Sequence, residues 1–110
     1  MNYTPDSWKV LKCTKDDKVV WYKVYAGWRG SFVNGDYWKL NSGITKVTKE
    51  DDAILFHGQS GSIYECYLRN ENIDGEWLNN VKTDIIETAA TVGRTVVEID
   101  FVDFEKEFAQ

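Results

Sequence analysis

One short segment places a potential general base beside potential nucleophiles. His57 is the only histidine, and Ser60 and Ser62 follow it closely. A serine hydrolase of the nucleophile-elbow type needs the pattern G-x-S-x-G between a strand and a helix. With Ser60 as the nucleophile, this pattern would need glycine at position 62, where the chain has serine. The residues that follow predict a strand and not a helix, so the segment is typical of a tight turn. The sequence therefore predicts no catalytic residue and a protein that is not an enzyme.

Carboxylates and cysteines do not combine into a metal site or an acid–base pair. Aspartates occur in pairs at 16–17 and 51–52, in both cases inside turns flanked by lysine. Solvated turn geometry explains such pairs without acid–base work. Cys13 and Cys66 lie far apart and outside any CxxC spacing, which predicts two buried free thiols. We expect no bound metal and no cofactor.

Two glycine-spaced segments have the form of a phosphate-binding loop. Residues 27–30 and 58–61 both read GxxG, and the first carries Arg29. Phosphate cradles of this kind need a helix N-terminus or a pair of helices, whereas both segments lie between predicted strands. They are weak signals for phosphate.

The densest chemical signal is a group of aromatic and small polar residues. Seven of the sixteen Trp, Tyr and Phe residues fall between positions 21 and 43. An exposed ring can stack on a nucleobase or sugar, and Trp, Tyr and Arg are also the commonest hot-spot residues of protein interfaces. The candidate binding residues are Trp28, Arg29, Phe32, Tyr37, Trp38, Asn41 and Ser42.

The alternative for most of these rings is the hydrophobic core. Trp21, Tyr22, Tyr25 and Trp38 lie in predicted strands, where a buried role is the more common one. Trp28 differs because glycines flank it in a predicted loop, without an obvious strand face to bury it. We expect Asn41 and Ser42 to orient a stacked ligand if the site takes one.

Alternating apolar residues and polar turns position these groups on an antiparallel β structure. The second predicted strand has apolar residues on both faces and should be central. The predicted strands are 8–13, 19–26, 37–40, 44–48, 53–57, 62–68 and 95–101.

One helix interrupts the strands after residue 76. Apolar residues recur four apart from Trp77 to Ala89, and Gly93 suits a C-terminal stop. Asp84 and Glu87 have the form of a capping box, which favours 85–92 as the firmer part. We predict a single β-rich α+β domain over residues 1–110, as a small antiparallel sheet or SH3-like barrel of about six to seven strands with one helix.

Composition and charge limit the classes of partner that the protein could bind. The net charge of −5 disfavours general nucleic-acid binding. Residues 1–55 hold nine Lys and Arg against seven Asp and Glu, whereas residues 56–110 hold four against eleven. The acidic end, from Glu98 onward, could attract a basic partner, although a solvated strand face leading into a frayed terminus is the simpler explanation. No signal peptide or membrane-length apolar run is evident, so we expect a cytoplasmic protein without membrane contact.

Three segments resemble small uncharacterised accessory proteins of tailed bacteriophages. They are Tyr22-Lys23-Val24-Tyr25-Ala26-Gly27-Trp28, Gly35-Asp36-Tyr37-Trp38-Lys39-Leu40-Asn41-Ser42-Gly43-Ile44 and Gly58-Gln59-Ser60-Gly61-Ser62-Ile63-Tyr64-Glu65-Cys66. The resemblance covers roughly residues 8–68 and carries no catalytic motif. It implies an accessory protein in the cytoplasm of an infected bacterium that binds and inhibits a host factor or captures a nucleotide signal.

Two functions remain open from the sequence, and a third, an enzyme, would require a pocket that joins His57 to Ser60 or to a carboxylate. The first is a non-enzymatic binding protein that engages a bacterial host protein through the loops between Gly27 and Gly43. The second is a small-ligand module that stacks a nucleotide or sugar on Trp28, Tyr37 or Trp38. A homodimer through the edge of the last predicted strand also remains open.

Overall fold

A computed structural model describes residues 2–30 and 33–109 as eight strands and two α-helices. The elements are β1 (Asn2–Tyr3), β2 (Ser7–Lys15), β3 (Lys18–Trp28), β4 (Tyr37–Leu40), β5 (Ile44–Glu50), β6 (Ala53–Gly58), β7 (Ile63–Tyr67), a 3₁₀ turn (Leu68–Asn70), α1 (Glu76–Thr91), β8 (Thr95–Ile99) and α2 (Phe101–Phe108). The β-rich α+β class predicted from the sequence is confirmed.

The strands form two four-stranded sheets. Sheet I has the order β1-β7-β6-β5, and sheet II has the order β4-β3-β2-β8. Sheet II is antiparallel throughout, while the short β1 pairs with β7 in parallel. The described strands do not close into one barrel, so the SH3-like barrel is not confirmed.

The two sheets pack face to face around an apolar core. Alternate residues of β2 and β3 from sheet II meet alternate residues of β6 and β7 from sheet I. The buried members of this cluster are Trp8, Val10, Val24, Ala26, Ile44, Ile54, Phe56, Tyr64, Cys66, Ile99, Phe101 and Phe104. Because β-strand side chains alternate between faces, the other residues of β2 and β3 point out of the sandwich. The apolar ones among them are buried by a further element that packs on the outer face of sheet II.

Helix α1 is this further element on the outer face of sheet II. Leu11, Cys13, Tyr25 and Val96 are buried there, with residues of α1 packed against them. Burial on both faces confirms that β3 is a central, two-sided strand. The helix comes so close to β3 that a Cβ on Gly27 would lie 3.0 Å from Leu78 Cδ1.

The ends of α1 differ in how well the sequence predicts them. Gly93 has φ +77° just beyond the helix, as a C-terminal glycine stop requires. The predicted capping box at Asp84 and Glu87 is wrong, because both residues lie inside a helix that begins at Glu76. Gly75 occupies the N-cap position with φ +117°.

The sequence predicts a strand over 95–101 followed by a frayed terminus, and both predictions are wrong. The structure has a second helix, α2, at this end of the described chain. The strand ends at Ile99, and the next eight residues are helical. Phe101 and Phe104 are buried in the sandwich core, and Phe108 packs against it. This i, i+3, i+7 spacing places three rings on one helix face, and that face packs against the core of the sandwich.

Charged contacts hold α2 to both sheets. Lys49 of sheet I pairs with Glu105, and Lys12 of sheet II pairs with Glu107 at 2.7 Å. Glu107 also accepts a hydrogen bond from the Tyr22 hydroxyl at 2.6 Å. Hydrogen bonds from Lys12 and Tyr22 lower the pKa of the Glu107 carboxyl.

A buried lysine anchors the segment that leads into α2. The Lys9 ammonium contacts Asp100, Asn72 at 2.9 Å and Glu71 at 3.3 Å. Glu71 also accepts a hydrogen bond from the backbone N–H of Phe101 at 2.7 Å. Burial alone lowers the pKa of Lys9, but hydrogen bonding and the charges of Asp100 and Glu71 outweigh it, so the pKa is raised.

The cysteines lie in separate parts of the core. Cys13 is buried under α1 and Cys66 is buried between the sheets, and both are free thiols as predicted. Burial raises the pKa of the Cys66 thiol well above its usual value. Across residues 2–30 and 33–109, no helix is both long and apolar enough to span a bilayer.

Candidate functional site

Strand β4 carries the exposed rings of the candidate group. It lies at the edge of sheet II and pairs with β3 in the register Tyr25–Leu40 to Trp28–Tyr37. Successive residues point to opposite faces, so Tyr37 and Lys39 share the sandwich side and Trp38 shares the α1 side. Tyr37 is 51% exposed and Trp38 is 38% exposed. We call Tyr37, Trp38 and Lys39 the β4 surface.

Tyr37 is supported from behind by Trp28. The two rings stack with centroids 5.0 Å apart and planes 5° from parallel. The Trp28 indole N–H donates to the Thr4 carbonyl at 3.0 Å, and Tyr3 meets Trp28 edge to face. Trp28 is the last residue of β3 and is half-buried, so the loop begins at residue 29, two residues later than the sequence predicts.

Trp38 is supported from the other face by Tyr25. Their ring centroids are 5.7 Å apart. Tyr25 is fully buried, and its hydroxyl donates to the Leu78 carbonyl of α1 at 2.7 Å. Burial raises the pKa of Tyr25 to about 12, so the phenol stays neutral at physiological pH. Trp38 therefore packs against a buried ring that is hydrogen bonded to α1.

Lys39 supplies the positive charge of the β4 surface. Its ammonium lies 5.1 Å from the centre of the Tyr3 ring. A cation over a ring face is held by the ring quadrupole but keeps part of its hydration. Within the described part of the chain, no carboxylate lies within ion-pair distance of Lys39.

Arg29 lies beside the β4 surface, where other groups already hold it. Its Nε is 3.2 Å from Asp36, and its Nη1 is 3.6 Å from Asp74 near the start of α1. The backbone N–H of Arg29 donates to Asp6 at 2.9 Å. A Cβ on Gly75 would lie 3.2 Å from Arg29 Cδ, so glycine leaves room for the guanidinium. The side chain ties the β3–β4 loop to α1.

Asn41 and Ser42 follow β4 and mainly serve the backbone. Asn41 is buried, its Oδ1 accepts from the Val24 N–H at 2.8 Å, and its Nδ2 has no hydrogen-bond partner among the described residues. Ser42 Oγ accepts from the Ser60 N–H at 2.9 Å and contacts Ser60 Oγ at 3.2 Å. Phe32 lies outside the residues that the structure describes.

The candidates that the structure describes thus divide into four places. Trp28 and Tyr37 stack together, Trp38 lies on the opposite face of the same strand pair, and Arg29 lies in the adjoining loop. Asn41 and Ser42 lie beyond the end of β4. Strand alternation could have separated Tyr37 from Trp38 in the sequence, but the support from Tyr3 depends on a distant strand and gives no local signal.

The serine and histidine segment is split between two hydrogen-bond groups. His57 Nε2 and Thr48 Oγ1 are 3.1 Å apart, on neighbouring strands of sheet I. Ser60 Oγ instead contacts the hydroxyls of Ser42 and Ser62. No hydrogen bond among the described residues joins His57 to Ser60.

Two grooves flank α2, and sequence reasoning missed both because it missed the helix. The first, of about 510 Å³, lies between α2 and β5. Phe104, Phe108 and Val47 line it, with Lys46 and Lys49 also contributing. The second, of about 480 Å³, lies between α2 and β8, where most of the charged lining residues are acidic.

Comparison with protein-family models, curated proteins and solved structures finds no match to the chain. For residues 2–30 and 33–109, no three His, Cys, Asp or Glu side chains are grouped as metal ligands would be. Function is therefore inferred from the geometry of this chain.

Proposed function

We propose that this chain is a non-enzymatic binding protein that engages a protein partner through the β4 surface. The observation that supports this most strongly is the pair of exposed rings on one edge strand, each backed by a second ring. Rigid aromatic side chains lose little conformational entropy on binding and dominate interface hot spots.

The surroundings of these rings also favour a protein partner. Tyr37 and Trp38 point to opposite faces of the strand pair, so a partner must wrap around an edge to cover both. A protein segment can do this, whereas one planar small molecule can cover only one ring. Lys39 adds a positive charge at the rim, where charge sets orientation and on-rate.

A nucleotide or sugar ligand receives less support. One face of Tyr37 is already occupied by Trp28, and one face of Trp38 approaches Tyr25. The groups expected to orient such a ligand are engaged as well, because Asn41 and Ser42 hydrogen bond to backbone groups. On the resemblance to phage accessory proteins, the proposed partner is a bacterial host protein, and binding of this chain would inhibit it.

The experiment compares exposed rings on two parts of the molecule. Tagged wild-type protein, a Tyr37→Ala/Trp38→Ala variant and a Trp77→Ala variant are used to capture partners from bacterial lysate. Trp77 is the matched control because it is 48% exposed but lies on α1. Losing two hot-spot rings should weaken capture at least about thirtyfold, on the order of 2 kcal/mol.

The controls separate binding from folding. Circular dichroism should show the same fold in both variants. Thermal unfolding should stay cooperative, with a lower midpoint in the β4 variant because it loses two ring contacts of about 0.5–1.5 kcal/mol each. If the folded β4 variant retains full capture while the Trp77 variant loses it, the binding surface lies on α1 and the proposal is wrong.

A further inference from the structure

The free edge of β4 follows from the hydrogen-bond pattern of sheet II. In an antiparallel pair, opposite residues alternate between pairs that exchange both backbone hydrogen bonds and pairs that exchange none. The Asn41 N–H donates to the Val24 carbonyl at 3.1 Å, one step beyond the Tyr25–Leu40 pair. Tyr25–Leu40 and Gly27–Trp38 are therefore the pairs without exchanged bonds.

The backbone N–H and C=O groups of Trp38 and Leu40 consequently point away from β3. In the described ranges, no backbone hydrogen bond outside the strand ladder involves either residue. Unpaired edge groups of this kind are a template for an added strand. From this geometry we infer that the partner of the proposed function adds an extended segment alongside β4; this inference rests on that function.

The side chains around this edge specify the added segment. Residues opposite Trp38 and Leu40 would lie on the α1 side of the sheet, against Trp38, and should be apolar. The residue opposite Lys39 would lie on the sandwich side, beside an exposed ammonium without a carboxylate partner among the described residues. Opposite charges directly across a strand pair are favourable, so this residue should be acidic. The segment therefore reads apolar–acidic–apolar.

The same charge disfavours a second copy of this chain in the corresponding register. Two β4 strands paired about Lys39 would place two lysines directly opposite each other, which is destabilising. The edge of β8 provides an internal comparison. The Asn72 N–H donates to the Trp8 carbonyl, so the even residues of β2 face β8 and Val96 and Glu98 present the free groups of that edge.

The test uses a blocked Thr-Val-Glu-Val-Thr peptide, which reads the same in either strand direction. Amide chemical shifts of the full chain are followed by NMR while the peptide is added. We expect saturable downfield shifts at Trp38 and Leu40, with a dissociation constant on the order of 1 mM, and unchanged shifts at Val96 and Glu98. Absence of saturable shifts at Trp38 and Leu40, or equal shifts at both edges, overturns the inference.

Three changes identify the contacts. A Thr-Val-Lys-Val-Thr peptide should bind about fivefold more weakly, and Lys39→Glu should reverse that preference. In an antiparallel addition the N–H groups of both valines donate to the Trp38 and Leu40 carbonyls, so methylating these nitrogens should weaken binding about tenfold. An unreversed preference in the folded Lys39→Glu protein contradicts the assignment of the acidic position.

The inference and the proposed function can fail separately. If the Tyr37→Ala/Trp38→Ala variant loses a captured partner, but the Trp38 and Leu40 amides exchange at the same rate in free and bound wild-type protein, strand addition is wrong and the proposed function stands. If the peptide binds as expected but the variant retains its captured partners, the proposed function is wrong. Concentration-dependent shifts at the β4 edge without peptide, together with a doubled mass, identify a second copy as the occupant and overturn the inference.

Discussion

The Asn41 side chain continues the pairing of β3 after β4 ends. Its backbone N–H and its Oδ1 engage the carbonyl and N–H of Val24, as a paired strand residue would. The sequence offered Asn41 as a ligand-orienting group, because a polar residue in a predicted turn usually faces solvent. Whether a turn residue is buried depends on tertiary contacts that no local pattern reports.

Asn41→Ala should lower the free energy of unfolding by about 2 kcal/mol, because it leaves the buried Val24 N–H without an acceptor. Urea denaturation at neutral pH measures the change. Asn80→Ala, at an exposed position of α1, is the matched control and should change stability by less than about 0.5 kcal/mol. Equal effects at the two positions would mean that the Val24 contact contributes nothing to stability.

The Tyr25 phenol should make the protein sensitive to alkali. Its pKa is raised to about 12 in the folded protein, against about 10 when unfolded. A raised pKa favours the protonated form in the folded state, so its contribution is complete below pH 10 and is lost as pH rises toward 12. Tyr25→Phe should therefore lose less stability than wild type between pH 9 and 11.

Urea denaturation at several pH values tests this, with Tyr37→Phe as the control because Tyr37 is half exposed. Identical pH dependence of wild type and Tyr25→Phe would contradict a buried, hydrogen-bonded Tyr25 hydroxyl. Lys9 has a raised pKa as well, and Tyr22 has a pKa of about 12, so some alkaline sensitivity should remain in the variant.

At the level of elements, α2 stabilises the fold mainly through its rings. Phe104 is fully buried between Tyr22, Phe56, Phe101 and Phe108. The ion pairs of the helix are partly exposed, and such pairs contribute about 1 kcal/mol or less. Packing should therefore outweigh charge in holding α2.

Phe104→Ala should lower the free energy of unfolding by about 3–5 kcal/mol, as expected for removing a buried ring. Val102→Ala is the control on the same helix, because Val102 is 61% exposed. Chemical denaturation compares the two. A loss below about 1 kcal/mol for Phe104→Ala would mean that α2 is not docked as described.

Elements with a strong local signal were predicted, and those that depend on long-range contacts were not. Alternation in β3 and the glycine after α1 specify their structure through neighbours in the chain. In contrast, Thr95–Phe101 alternates like one strand, and only the docking of Phe101 and Phe104 into the sandwich makes the chain turn helical at residue 101. The sequence identified Tyr37 and Trp38 as candidate binding residues because of their residue types. It did not predict that Trp28 and Tyr25 pack behind them, because those contacts form only in the folded protein.

Over the whole molecule, basic residues of the first half of the chain form ion pairs with acidic residues of the second half. Lysines from the first half of the chain pair with acids near its end, which joins the two sheets to α2. The pairs are Lys9–Asp100, Lys12–Glu107 and Lys49–Glu105. The acidic end is therefore largely neutralised within the fold, and the β4 surface is the better candidate for partner recognition.

Hydrogen–deuterium exchange on a captured complex measures most directly whether a partner binds the β4 surface. We expect the amides of residues 37–40 to exchange more slowly when the partner is bound, while those of β8 and α2 keep their rates. Slower exchange confined to β8 and α2, with residues 37–40 unchanged, would place the partner at the opposite edge of sheet II and contradict the proposed binding surface.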